Sequence, residues 1–547
     1  MRDCVLALML AGVIGAVPGA VFARDPLSDV TVAVAPRLDF TAEQMAMATA
    51  VSGDPDLAAF YGNNGLQPIF LGPLAEARRA ALRDAIGAAP RHGIPAARYH
   101  PDRLDAAQGL AAEIAHARAL SRLLRDLSGG VLDPTRVDSE IKRRPTRTSV
   151  TPLLMQFETA ADPAAMLAGV GPDHPAYLAL QQALTGPADL VVPQGLARIA
   201  TGIWRPGQHA APVADLRARL VSIGYAEVAP DAALYDEALT RAVADYQRAA
   251  GLPADGVAGP QTIAALNGDG ATGQDARQRA ILVAMERMRW MASEDLDSRH
   301  VWVNIPEFST TIVENGAEVF RTRSVMGKDT PDMRTPEFSE LMGHVVVNPS
   351  WNVPRSIAVR DYLPRLQGNR HALSHLDVVD GAGRVLARDG IDFSRYTAAS
   401  FPFRLRQKPS DDNALGVVKF IFPNRWNIYL HDTPSKHLFA NRVRADSNGC
   451  IRIGDPVDLA RALLSRQTDD PAAMFQRARD RERETWLSLT PPVPVHLVYF
   501  TAWPGPDGRI GLFDDIYGRD ARIWDALQAE GFGVTAPAVV ADLNPGL

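Results

Sequence analysis

The chain has 547 residues, 46% of them apolar, and a formal net charge of −6. That apolar fraction is the composition of a globular protein, and the length exceeds one hydrophobic core, so about three or four units are expected. The mild negative charge, with no dominant basic run, argues against nucleic acid as a partner, and there are only two cysteines, Cys4 and Cys450.

Residues 1–23 read as a secretory signal peptide. Arg2 is a minimal positive start, Val5 to Val17 is an apolar core, and Val21-Phe22-Ala23 has small residues at the first and third positions of a cleavage site. The apolar run is short for a membrane span, which takes about 20 residues. Cleavage is therefore expected, with no stable span afterwards. Without Cys4, Cys450 has no intrachain partner, and three readings stay open: an inert buried thiol, an intermolecular disulfide or a reactive nucleophile.

Residues 24–205 form the first expected unit, all helical. Segments such as LAEARRAALRDAIGAA and GLAAEIAHARALSRLLRDL place apolar residues three and four apart, with charges on solvated faces. A second unit, 211–267, has a helix carrying Leu216 and Leu220, and a longer one from Asp236 with Leu239, Val243 and Tyr246 inward, closed by Gly251. Pro260 opens a third helix. Gly268, Gly270 and Gly273 spell GxGxxG, but helix rather than strand precedes them. A linker is therefore expected across 268–298, ending in an amphipathic helix, not a dinucleotide site.

From His300 the period changes to that of strands. HVWVNIP, TTIVENGAEVFRTRSVMG, HVVVNP, VVKFIFP and NIYLHDT alternate, and Asn315-Gly316 marks a hairpin. A mostly β domain is expected over 299–490, interrupted at 354–409 by an inserted lid subdomain. A C-terminal extension, 491–547, offers two more strands to the sheet. The fold class is multidomain α+β.

The chemistry gathers at DSNGCIRI, Asp446 to Ile453. Asp455 and Pro456 look like the cap and first turn of a following helix, so Cys450 stands at a turn entering a short strand. A cysteine nucleophile needs a base or a cationic neighbour and donors for an oxyanion. His431 ends a strand upstream; the N–H groups of Asn448, Gly449 and Cys450 are candidate donors. Arg452, Arg442 and Arg444 supply positive charge for a carboxylate. Ser447 has no GxSxG context and reads as a turn-stabilising hydroxyl. Trp351 and Tyr429 read as core residues or as groove lining. His371 and His375 lack the glutamate of HExxH, so no metal is expected.

The stretch IYLHDTPSKHLFANRVRADSNGCIRI resembles the active-site segment of the YkuD-type L,D-transpeptidases. VMGKDTPDMRTPEF, NPSWNVP and NALGVVKFIFPN agree with it, while YQRAAGLPADGVAGPQTIAAL resembles the three-helix peptidoglycan-binding module. The order of units is similar to the large multidomain Gram-negative members. One position departs: Asn448 stands where the family has histidine, which keeps a backbone N–H but not an imidazole.

The resemblance implies a periplasmic enzyme without cofactors, acting on peptidoglycan stem peptides and glycan strands beside other cell-wall synthesis proteins. Cys450 would be the nucleophile and His431 its base. Asn448, Gly449 and Cys450 would hold the oxyanion, and Arg452, Ser447, Tyr429 and Trp351 would meet substrate. The product would be a 3-3 cross-link formed through a cysteine acyl-enzyme with release of D-alanine, and carbapenems would acylate the same thiol. The alternatives are an L,D-carboxypeptidase or cross-link hydrolase of the same fold, and a non-catalytic wall-binding protein.

Overall fold

The computed structural model describes residues 40–143, 149–185, 197–227, 229, 231–249, 252, 254–267, 271–505 and 508–533. The expected signal peptide lies outside the described residues, as do Gly251, Gly268 and Gly270.

The N-terminal unit is helical. Its helix starts are written in the sequence: Thr41 and Gln44 form a capping box before Ala42–Val51, and Asp54 accepts from the N–H groups of Asp56 and Leu57 before Pro55–Asn63. The long helix Gly109–Gly129 buries Leu120, Leu123, Leu124 and Leu127. Not every charge is on a solvated face. Glu113 on this helix is fully buried and accepts from the N–H groups of Ile69 and Phe70 at 2.8 and 2.7 Å, satisfying backbone that has no ladder of its own.

The second unit packs helices Ala211–Ser222, Glu237–Ala249 and Pro260–Leu266 around Leu216, Leu220, Leu239, Val243, Tyr246 and Ile263. Residues ahead of its first helix pack on the same core. Ile199 is buried in this core and exchanges hydrogen bonds with the Asn267 amide, and Trp204 pairs with Ala258.

The helix Ala271–Trp290 starts inside the glycine-rich stretch, so Gly273 is helical, not linker. It is not amphipathic. Met285 and Met288 face one core, Leu282, Val283 and Trp290 another, and Glu286, Arg287 and Arg289 are buried between them. The charges are tolerated because each is paired: Glu286 takes the N–H of Leu132 at 2.8 Å and the Arg289 guanidinium at 2.7 Å.

Strands β1 (His300–Asn304), β2 (Ser309–Glu314), β3 (Ala317–Gly327) and β4 (Phe338–Val347) open the β domain. Asn315 and Gly316, both with positive φ, turn β2 into β3. An insertion follows with β5 (Trp351–Asn352), β6 (Leu376–Val379), β7 (Val385–Leu386) and β8 (Arg404–Gln407), a separate four-stranded sheet in the order β5-β8-β6-β7. It has its own core, including Leu366, Leu376, Phe393, Phe401 and Leu405.

The chain then returns through β9 (Val418–Ile421), β10 (Leu430–His431), β11 (Ala445–Ser447), β12 (Ile451–Ile453) and β13 (Thr485–Val498). These complete a nine-stranded sheet ordered β11-β3-β12-β10-β9-β4-β13-β1-β2. One face, with Val345, Val347, Phe420, Leu430, Ile451 and Ile453, packs on a core that includes helix Pro456–Leu464.

Two expectations at the C-terminal end are corrected. Residue 490 is no boundary, because β13 runs through it and lies between β4 and β1 as a central strand. Of the two further strands, only this one joins the large sheet; β14 (Ala502–Pro504) and β15 (Ile510–Leu512) form a hairpin apart from it. Asp455 stands at the cap position of Pro456–Leu464 but makes no capping bond, since its carboxylate accepts from the Thr322 hydroxyl at 2.8 Å.

Candidate active site

The site stands on two short parallel strands. In the β10–β12 pair, Leu430 lies opposite Ile451 and His431 opposite Arg452, and the Ile451 N–H donates to the Tyr429 carbonyl at 3.1 Å. Side chains alternate along a strand. Leu430 and Ile451 enter the core, so Tyr429, His431, Cys450 and Arg452 share the other face. The block that the sequence separates by a loop is thereby brought together.

His431 is buried, and its Nδ1 donates to the Asp432 carbonyl, which leaves Nε2 as the acceptor. Burial, with the Arg452 guanidinium nearby, pushes its pKa down to about 4, so the ring is neutral at ordinary pH. Cys450 is partly exposed, and its Sγ contacts the Asn427 carbonyl at 3.5 Å. Burial of its surroundings pushes the thiol up to about 11, against the lowering effects of Tyr429 and Arg452. The resting pair is thus a neutral imidazole and a protonated thiol.

Tyr429 rests partly on the core of the inserted subdomain. Its hydroxyl neighbours both Cys450 and the indole of Trp351, and burial holds its pKa well above the ordinary value. Trp351 is a buried member of that core, and Tyr429 stands between contacts to it and to the thiol. Arg452 has a buried Nε without a hydrogen-bond partner among the described residues. Arg444 is instead committed to the carbonyls of Ser324, Asn441 and Phe308, and Arg442 stands 3.9 Å from Asp514 at the surface.

The turn before the thiol corrects two more expectations. The buried Ser447 hydroxyl donates to the Cys450 carbonyl and accepts from the Gly449 N–H at 3.1 Å. Ser447 is therefore a turn residue and not a substrate contact, and the Gly449 N–H is already engaged. The N–H groups of Asn448 and Cys450 have no protein acceptor among the described residues, and the Asn448 side chain is exposed. Gly449 has φ 107°, a conformation that favours glycine.

One contributor was not foreseen. The Thr335 hydroxyl donates to the Gly449 carbonyl at 2.9 Å and accepts from the Gly327 N–H at 2.9 Å. The only sequence sign of it was its place within VMGKDTPDMRTPEF. Among the described residues no cluster of three or more His, Cys, Asp or Glu side chains could hold a metal ion, and no helix is long and apolar enough to cross a membrane.

Three family models match the chain: a scaffold domain over residues 55–184, a putative peptidoglycan binding domain over 209–266 and the YkuD L,D-transpeptidase catalytic domain over 298–484. A Haemophilus influenzae protein described as a "Putative L,D-transpeptidase" is 32% identical over 240 residues. The match covers 42% of this chain and 47% of that protein, so the chain spans about half the length of this relative. An L,D-transpeptidase structure from Xylanimonas cellulosilytica is 17% identical, with 55% of this chain and 98% of that chain covered and a TM-score of 0.18. One from Stackebrandtia nassauensis is 14% identical, with 55% and 97% covered and a TM-score of 0.19.

Proposed function

We propose that this chain, which carries an L,D-transpeptidase catalytic domain and a peptidoglycan-binding domain, forms 3-3 cross-links in peptidoglycan through an acyl-enzyme on Cys450. The carrying observation is the common face of β10 and β12, with a neutral histidine, a thiol and an arginine without a protein partner at its Nε.

In this reading Cys450 Sγ attacks the carbonyl that joins the L-centre of the third stem residue, meso-diaminopimelate, to the terminal D-alanine. His431 Nε2 takes the thiol proton as the S–C bond forms, since no thiolate is present beforehand. The N–H groups of Cys450 and Asn448 hold the oxyanion. The C–N bond then breaks, the nitrogen of D-alanine takes the proton from His431, and a thioester remains. The side-chain amine of a second stem attacks that thioester, His431 receives its proton, and the thiol is restored. Arg452 holds a substrate carboxylate. Tyr429, backed by Trp351, walls the groove beside the inserted subdomain, which excludes water and favours the amine acceptor. The peptidoglycan-binding domain holds the glycan near the site. In this reading the enzyme works outside the cytoplasm, in the periplasm, after the signal peptide expected over residues 1–23 is cleaved.

The test is the intact mass of the mature protein after exposure to a carbapenem, beside Cys450→Ala. A drug-sized adduct on the wild type alone supports an activated Cys450. No adduct on a folded wild type sinks the acyl-enzyme reading and leaves wall binding. Incubation with tetrapeptide muropeptides then separates 3-3 dimers from the tripeptides that a hydrolase would release.

A further inference from the structure

The segment VMGKDTPDMRTPEF has so far no chemical role, yet Thr335 within it reaches the residue before the nucleophile. Every polar group of Thr335 is held. Its hydroxyl bridges the Gly327 N–H and the Gly449 carbonyl, both at 2.9 Å. Its N–H donates to the Tyr517 hydroxyl at 3.4 Å, and its carbonyl accepts from Arg519 at 2.8 Å. The Tyr517 hydroxyl in turn donates to the Gly327 carbonyl. Tyr517 is fixed by its own N–H on the Tyr499 hydroxyl at 2.8 Å and by the Arg519 guanidinium 4.9 Å from its ring. Thr335 and Arg519 are fully buried and Tyr517 nearly so.

A trans peptide is planar, so its C=O and N–H point in opposite directions. Gripping the Gly449 carbonyl therefore aims the Cys450 N–H away from Thr335. Because Gly449 lacks a side chain and has φ 107°, its own backbone does little to fix that plane. An external grip does. Gly327 makes the grip close: a Cβ there would stand 2.0 Å from the Met333 carbonyl oxygen and 2.7 Å from the Thr335 nitrogen.

We propose that Thr335, locked by Tyr517 from the segment beyond residue 484, is a positioning residue that aims the Cys450 N–H at the oxyanion. This rests on the acyl-enzyme reading and adds residues outside the matched catalytic model to the machinery of the site.

Two chemistries on one thiol test it. Carbapenem acylation passes through an oxyanion; alkylation by iodoacetamide does not. Thr335→Val should slow acylation by about tenfold or more, since it leaves two buried backbone groups unpaired, while alkylation of Cys450 stays near the wild-type rate. Thr335→Ser, which keeps the hydroxyl, should restore acylation to within about threefold. If Thr335→Val does not fold, Tyr517→Phe carries the test, with the same split between the two reactions and a smaller loss of acylation. Acylation unchanged in the variant that folds, or both reactions slowed alike, overturns the proposal. A wild type that is alkylated but never acylated overturns the acyl-enzyme reading and this inference with it, a result distinct from a Thr335 variant that behaves as wild type.

Discussion

Arg452 lies directly opposite His431 in the parallel β10–β12 pair, with Cys450 on the same face two residues before it. After burial, this guanidinium is the next cause of the low pKa of the ring. Arg452→Gln should therefore raise that pKa from about 4. A base works only when deprotonated, so the acid limb of the acylation profile should move to higher pH, on the order of one unit. The second-order rate constant should also fall by roughly tenfold, because the charge expected to hold the substrate carboxylate is gone. The pH profile of carbapenem acylation measures both effects. An unmoved acid limb would show that Arg452 does not act on the base.

Cys450 and His431 titrate in the order opposite to a preformed ion pair. The thiol is pushed up to about 11 and the imidazole down to about 4. Between these values the thiol is protonated and the ring neutral. Alkylation by iodoacetamide follows the thiolate fraction, so its rate should rise roughly tenfold per pH unit from neutrality to about pH 10. Acylation assisted by His431 should be much flatter across that range, because the base takes the proton during attack. An alkylation plateau near pH 7 would mean a resting thiolate and would remove general-base catalysis from the mechanism.

The sequence exposed the strands and the nucleophile through local signals. Asn315-Gly316 declared a hairpin, and the turn before Cys450 was visible as a glycine followed by a short strand. Long-range partners left weaker marks. Nothing local distinguishes Thr335 from any other buried threonine, because its role depends on Gly449 and Tyr517 arriving from two distant segments beside the nearby Gly327. The helix Ala271–Trp290 reads as amphipathic, since pairing of its buried charges with scaffold backbone and catalytic-domain carboxylates is invisible to periodicity. Residue 490 is the expected end of the β domain, yet β13 runs through it. Ser447 reads in the sequence as a turn hydroxyl and, by resemblance, as a substrate contact; its capture of the Gly449 N–H, a proposed oxyanion donor, needed geometry.

Asn448 departs from the family's histidine, and its side chain is exposed. Its proposed contribution is a backbone N–H, which any residue but proline supplies. Asn448→Ala should then leave the acylation rate within about threefold of the wild type, the range of a peripheral polar contact. Asn448→His should leave the thermal midpoint unchanged. The paired rate measurements decide the point: a tenfold loss in Asn448→Ala would assign the amide side chain a role that the backbone cannot supply.

Glu337 joins three parts of the chain in one buried group. Its carboxylate lies between Arg287 of the helix Ala271–Trp290 and Arg519, which opens the helix Arg519–Ala529, and Arg287 also holds Asp520 at 2.9 Å. Its backbone pairs with the scaffold, donating to the Glu140 carbonyl at 3.1 Å and accepting from the Lys142 N–H at 2.9 Å. Glu337→Gln keeps the shape and removes the charge, leaving the buried Arg287 guanidinium with Asp520 alone, a carboxyl that burial has raised to about 6, and the buried Arg519 guanidinium without the carboxylate it pairs with. Breaking a buried pair by removing one partner costs about 3–5 kcal/mol. The thermal midpoint should drop by several degrees, and by nearly the same amount in low and high salt, because buried pairs are poorly screened. A drop that vanishes in high salt would mean the cluster is wet, and an unchanged midpoint would mean that the contacts between scaffold and catalytic sheet do not depend on it.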